Sequence, residues 1–311
     1  MLKGPRSHPR AATTGGLVAL LIWSATVAVA RSLAESLGTL TAASLATGLG
    51  GALALLLAWT RGRPPGAMLR LPRRYLLACG GLFVLYEVCV LAALGWSANR
   101  SVAILAGLAN YLWPMLTVVL SVPILGRRTG PWLGVGAVLA VGGTATALLW
   151  GSEVDAAEIS RAGAGVLVPL ALAGVGAAAW GLYSNLVRGW GRPEAGAVPL
   201  FLLAASAALA AMRCFRPERT VWSIQAAAEL TFLAGLQSAA AYVLWERGMR
   251  RGNHLLLSLT SYFIPVASVA TACAYLKVPP TVGLLLGAGL VTAGALICRG
   301  SLSEPPPTGK G

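Results

Sequence analysis

Charge is what this chain has least of. Only 11% of its 311 residues are Asp, Glu, Lys or Arg, against 57% hydrophobic, and the mean hydropathy is +0.73. A soluble domain carries about 25% charged residues, so a soluble fold is excluded and a membrane protein is indicated. Histidine is nearly missing: His8 lies in the N-terminal tail and His254 opens an apolar run. No Ser/His/Asp set, phosphate loop or intramembrane metal cluster can be assembled. No catalytic residue, metal or cofactor is therefore assigned, and an enzyme is not expected. The five cysteines (Cys79, Cys89, Cys214, Cys273, Cys298) form no CxxC and lie almost all within apolar runs, the setting of buried inert thiols. Long polar segments are absent too, which leaves a non-transporting membrane scaffold little surface for partners.

The charge that is present is one-sided, with 24 basic residues against 10 acidic and a formal net charge of +14. The basic residues sit in the short gaps between apolar runs, as membrane topology requires, and not along a stripe that would bind nucleic acid. Those runs give ten spans, at 12–31, 38–60, 74–97, 101–125, 130–150, 163–188, 195–213, 228–247, 254–276 and 280–299. Seventeen of the 24 Lys and Arg fall on one side of such a bundle. The other seven are Arg31, Arg100, Arg161, Arg213, Arg216, Arg219 and Lys277. This asymmetry puts both termini in the cytoplasm and the acidic loop 151–162 (Glu153, Asp155, Glu158) outside. The tail 301–311, with Pro305-Pro306-Pro307, reads as disordered. The start of the chain imitates a signal peptide, with Lys3, Arg6 and Arg10 before an apolar stretch and Ala28-Val29-Ala30 after it. Retention is favoured, because the uncharged run is long enough to span and the internal repeat needs it.

That repeat aligns Leu108–Thr146 with Leu259–Ile297 without gaps at an offset of 151 residues, matching Tyr111 to Tyr262, Pro114 to Pro265, Gly136 to Gly287 and Gly143 to Gly294. Trp23 and Trp180 make a second correspondence. Five spans per half force the halves, 1–150 and 163–300, into opposite orientations, an inverted repeat about an axis in the membrane plane. Glycines at helix-packing spacing, such as Gly130/Gly134 and Gly283/Gly287, favour packing within one bundle, so a monomer is expected.

Two prolines interrupt matching spans, in Asn110-Tyr111-Leu112-Trp113-Pro114 and Ser261-Tyr262-Phe263-Ile264-Pro265. Proline has no N–H to donate, so each frees the carbonyl four residues back, at Asn110 and Ser261. Broken backbone in a membrane is tolerated only beside protein or a watery cavity, and paired breaks point to a transport site. Pro114 and Pro265 are therefore read as hinges. Trp59, Trp96, Trp132, Trp150, Trp190 and Trp222 fall at span ends, where aromatic belts form. Trp23, Trp113 and Trp180 lie deeper, where the indole N–H wants a partner that lipid cannot supply. The hydroxyls of Tyr86, Tyr111, Tyr183, Tyr242 and Tyr262 follow the same logic. Glu87 is the acidic residue deep within a span, open to two readings: a proton relay or a hydrogen-bonded structural group.

The strings Leu82-Phe83-Val84-Leu85-Tyr86-Glu87-Val88-Cys89, Asn110-Tyr111-Leu112-Trp113-Pro114 and Ser261-Tyr262-Phe263-Ile264-Pro265 resemble the YddG-type aromatic amino-acid exporters. Those belong to the EamA branch of the drug/metabolite transporter superfamily. The resemblance runs over essentially the whole chain. It implies an all-α polytopic membrane protein of ten transmembrane helices, in two inverted five-helix repeats around a central cavity, that exports aromatic and other neutral amino acids. The sequence departs from that pattern at Tyr242-Val243-Leu244-Trp245-Glu246-Arg247, which is more charged than the family pattern leads one to expect. The expected protein works in the bacterial inner membrane by alternating access. Trp23, Tyr86, Tyr111, Trp113, Trp180, Tyr183 and Tyr262 would line its cavity, and Asn110 and Ser261 would bind the substrate's amino or carboxyl group. No internal Lys or Arg awaits a phosphate, which speaks against nucleotide-sugar or sugar-phosphate cargo. Two alternatives stay open: a proton-coupled exporter of cationic drugs using Glu87, and the scaffold.

Overall fold

The computed structural model describes residues 9–150, 163–190 and 197–303. The acidic loop 151–162, Arg192 and the tail beyond Ser303 lie outside the described residues. What is described is almost wholly helical. In chain order the helices are α1 (Pro9–Ser24), α2 (Thr26–Leu37), α3 (Thr39–Trp59), α4 (Pro65–Leu69), α5 (Gly80–Trp96), α6 (Arg100–Asn110), α7 (Trp113–Leu125) and α8 (Trp132–Trp150). They continue as α9 (Ala164–Trp190), α10 (Val198–Phe215), α11 (Ile224–Thr231), α12 (Tyr242–Arg251), α13 (His254–Ser261), α14 (Ile264–Leu276) and α15 (Val282–Gly300). Two π-helical stretches, Tyr75–Cys79 and Phe232–Ala241, run straight into α5 and α12.

Among the described residues eight helices are long and apolar enough to cross a membrane, or nine if α1 and α2 count as one span bent by 42°. The expected ninth span, 254–276, is instead α13 and α14, an eight-residue and a 13-residue helix on either side of Tyr262-Phe263. The expected eighth span begins earlier than its predicted limit, at Ile224, because Ser223 caps α11 by accepting a hydrogen bond from the Ala226 N–H at 3.0 Å. This moves Glu229 from a span border to a helix interior, where it is 3% exposed. Glu87 is thus not alone as a buried acid. An all-helical chain was expected, yet Arg128–Thr129 (β1) pairs antiparallel with Leu302–Ser303 (β2), which orders the first residues of the expected tail.

Local rules set the ends of these elements. The Asn99 side chain caps α6 at the Val102 N–H, 2.9 Å away, and Thr281 does the same for α15 at Leu284. Between α2 and α3 the chain turns at Gly38 with φ of 85°, a backbone conformation that glycine adopts freely. The α3 N-terminus is capped from a distance, by Glu218 accepting from the Leu40 and Thr41 N–H groups. Outward faces carry large apolar side chains, among them Leu21, Leu77, Val138, Trp150 and Val282, each at least 68% exposed, as a lipid-facing surface requires. Trp59, Trp132 and Trp150 are exposed at helix ends and Trp222 just before the Ser223 cap of α11, whereas Arg216 stacks over Trp96 at 4.9 Å. Four of the five cysteines are buried; Cys214, near the end of α10, is exposed.

One tightly packed helix pair among the described residues is α8 with α15. It meets through Gly136, Gly143, Gly287 and Gly294, so that backbone lies against backbone. A Cβ added at Gly143 would stand 2.7 Å from the Gly287 carbonyl oxygen and from the Val291 nitrogen, neither of which can yield by a rotamer change. Gly143→Val should therefore lower the detergent melting temperature, consistent with an overpacking cost of about 1–3 kcal/mol. Gly142→Val, whose Cβ meets nothing within 4 Å, should leave it unchanged. Equal melting temperatures for the two variants would show that the close contact does not govern stability.

Candidate functional site

Helical spacing puts Phe83, Tyr86 and Glu87 on one face of α5, Trp180 and Tyr183 on one face of α9, and Tyr242 and Trp245 on one face of α12. These faces converge. Trp180 is the hub, with ring centroids 4.6 Å from Tyr86, 5.2 Å from Tyr183, 6.1 Å from Phe83 and 6.3 Å from Trp113. Phe83 carries the set across to Tyr242 at 6.4 Å, and Tyr242 meets Trp23 at 5.4 Å. Trp23 sits just before the α1–α2 bend and also touches Trp245, at 5.6 Å. Tilted and edge-on geometries prevail, as aromatic quadrupoles prefer.

Polar groups border these rings. The Tyr242 hydroxyl donates to the Glu87 carboxylate, and the Tyr86 hydroxyl is hydrogen-bonded to the Asn110 side chain. Asn110 is the last residue of α6, directly before the interruption at Tyr111-Leu112. There the Tyr111 and Leu112 N–H groups fall back on the carbonyls of Leu108 and Ala109, at 3.0 and 3.1 Å. Asn110 is 8% exposed and its Oδ1 has no partner, a buried acceptor left open. Asn185 on α9 repeats this condition. Its Nδ2 donates to the Thr117 and Gly181 carbonyls, both at 2.9 Å, while its Oδ1 is unpartnered.

Of the residues expected to line a cavity, Trp23, Tyr86, Trp113, Trp180 and Tyr183 are brought together, with Glu87 and Asn110 beside them. Tyr111 lies to one side, buried and hydrogen-bonded to Ser268. Tyr262 belongs to a separate buried cluster with Met115, Val118 and Cys298. Ser261 ends α13, and Pro114 and Pro265 are each the second residue of the helix after a break. Phe83, Tyr242 and Trp245 complete the set; none is among the expected binding residues, although the Tyr242 hydroxyl stands out by its place within a span. Their signal was spacing: each of Phe83, Tyr242 and Trp245 lies three residues from another ring or site residue on its own helix. Two surface grooves, one along α15 at Val282, Leu286 and Leu290 and one between α8 and α15 beside Val138, Gly142 and Leu290, are lined by none of these rings.

Rings with a few hydroxyls, an open amide oxygen at Asn110 and one carboxylate can hold an apolar or aromatic body and hydrogen-bond a donor at its edge. Known proteins share the arrangement's frame. Residues 11–149 match the EamA-like transporter family. The chain is 35% identical over 289 residues to the aromatic amino acid exporter YddG of Salmonella typhimurium, covering 92% of this chain and 96% of that one. The Escherichia coli (strain K12) protein of the same name is 33% identical with the same coverage, and that of Ancylobacter novellus is 29% identical over 292 residues. A protein crystal structure that is 27% identical superposes with a TM-score of 0.66, covering 94% of this chain and 96% of its own.

Proposed function

The chain belongs to the EamA-like transporter family, and from that membership we propose that it exports aromatic and other neutral amino acids across the bacterial inner membrane by alternating access. It is a multi-pass membrane transporter and not an enzyme. The observation that carries the substrate class is the ring set around Trp180, with the open Asn110 Oδ1 at its edge. Flat apolar side chains stack on such rings, and an open acceptor suits the donor protons of an α-ammonium group. The relatives' names point the same way.

In this reading the bundle holds ten spans as two inverted halves, 1–150 and 163–300, with both termini cytoplasmic and the loop 151–162 outside. The α6–α7 and α13–α14 breaks are matching joints, with Pro114 and Pro265 as hinges, and the carrier is a monomer.

Glu87 favours one rival. A carboxylate that is 6% exposed beside aromatic rings is also what a cationic drug would seek, with proton exchange as the driving force. The bond from Tyr242 gives that carboxylate a structural partner, and amino-acid export driven by the substrate gradient does not need it to change charge. Glu87→Gln should therefore retain most counterflow of radiolabelled aromatic amino acids in proteoliposomes, with and without a pH gradient. Complete loss by a correctly folded Glu87→Gln protein would favour the proton-coupled cation exporter. Absence of amino-acid counterflow in the unaltered protein would overturn the proposal itself.

A further inference from the structure

The polar side chains of α2 lie beyond the bend at Ala25 and reach out to four other helices. Arg31, 8% exposed, donates through Nη1 to the carbonyls of Leu94, Gly95 and Ser97 at the end of α5, at 3.1, 3.2 and 2.8 Å. Its Nε holds Glu35 at 2.9 Å, and Glu35 in turn receives Arg100 of α6 at 2.6 Å. Arg100 also donates to the Leu276 carbonyl at the end of α14, at 2.9 Å. Ser32 donates to Glu229 of α11 at 2.6 Å, and the same carboxylate oxygen takes Tyr275 of α14 at 2.7 Å. The other oxygen of Glu229 is buried without a partner.

Three residues of one short half-helix thus hold the ends of α5, α6, α11 and α14 together. Packing of the α2 and α14 apolar faces alone would not call for this. Two arginines satisfying helix-end carbonyls and one glutamate shared between them form a set that comes apart as a unit, since losing Glu35 leaves both guanidiniums short of their partner. The bend supplies the joint: α2 can swing relative to α1 at Ala25, where the helix is already interrupted.

We propose that α2 is the gate at the Arg31 end of the carrier and that Glu35 and Glu229 are its gating residues, holding the gate shut in the arrangement seen here. The proposal rests on the alternating-access reading, in which one end of the bundle must part while the other stays closed. Oε1 of Glu229 accepts three hydrogen bonds, from Ser32, Tyr275 and, within α11, Gln225, so two bonds between helices must break there when the gate opens.

A buried thiol already sits behind the gate. Cys273 is 5% exposed on α14, three residues before Leu276, in the same buried cluster as Leu33 and Leu37 of α2. In a Cys214→Ser background the remaining cysteines, Cys79, Cys89, Cys273 and Cys298, are all buried. The test is maleimide labelling of detergent-solubilised protein, with the rate at each cysteine followed by mass spectrometry. Glu35→Gln and Glu229→Gln should each raise the Cys273 rate about tenfold, corresponding to an opening bias of about 1.4 kcal/mol, and leave the other three unchanged. An unchanged Cys273 rate in both variants, or a parallel rise at all four thiols from a loosened fold, would overturn the gate. Labelling requires no substrate, so this outcome stays separable from failure of amino-acid counterflow, which bears on the transport reading alone.

Discussion

Trp180→Ala is expected to produce the largest single-residue loss of transport, together with a clear drop in detergent melting temperature. Its ring contacts Phe83, Tyr86, Trp113 and Tyr183, so truncation removes four aromatic neighbours at once. Buried Phe or Trp to Ala changes cost about 3–5 kcal/mol; Trp180, only partly buried, belongs near the lower end. Trp180→Phe separates the two roles, because it keeps an apolar ring and most of the packing. If the rings bind substrate, Trp180→Phe should melt near the wild-type temperature and raise the KM for aromatic amino acids more than for small neutral ones. Equal effects on both substrate classes would reduce Trp180 to a packing residue.

The second large effect is expected from the prolines. Pro114 and Pro265 each occupy the first turn of the helix that follows a break, a place where the missing N–H costs little. Alanine at either site restores a donor and favours continuation of the preceding helix through Tyr111-Leu112 or Tyr262-Phe263. Inside a helix in water proline is disfavoured by about 3 kcal/mol relative to alanine. In the membrane the gain is smaller, since neighbours already satisfy the broken backbone. A bias of about 1.4 kcal/mol still shifts a conformational ratio tenfold. The Pro114→Ala/Pro265→Ala protein should therefore melt no lower than the wild type while its efflux slows about tenfold, each single variant falling between. Wild-type efflux from a stable double variant would show that these prolines shape the bundle without moving.

Much of this molecule can be read from the order of its residues, and what escapes has physical causes. The apolar runs locate nearly every crossing helix because lipid imposes length and composition directly. The breaks at Tyr111-Leu112 and Tyr262-Phe263 follow from two prolines. The bend at Ala25 does not, because Ser24-Ala25-Thr26 contains neither Pro nor Gly; there the Ser24 hydroxyl donates to the Leu21 carbonyl at 2.7 Å, a back-bond that competes with the helix ladder. The π-helical stretches, Tyr75–Cys79 and Phe232–Ala241, leave no compositional mark either. At the site, mid-span tryptophans and Glu87 stand out by being costly in lipid. Phe83, an ordinary apolar residue by type, is identified as the bridge between Trp180 and Tyr242 only by its neighbours in space. Glu229 was placed at a boundary because charge normally marks a span's end; Ser32, Gln225 and Tyr275 are what allow it inside.

The glycine contact between α8 and α15 bears on where motion can occur. Where helices meet through side chains, a change of rotamer can let one helix slide past its neighbour. Along Gly136, Gly143, Gly287 and Gly294 there are no side chains to rearrange, and any slippage would drive the Cβ of Ala140 or Ala147 into the opposing backbone. The two helices are locked in register like the teeth of a closed zip. In the alternating-access reading proposed above they are the fixed pair, and any movement of α7 or α14 takes place against the outer side chains of this pair, such as Ala295 and Cys298, and not within its glycine seam.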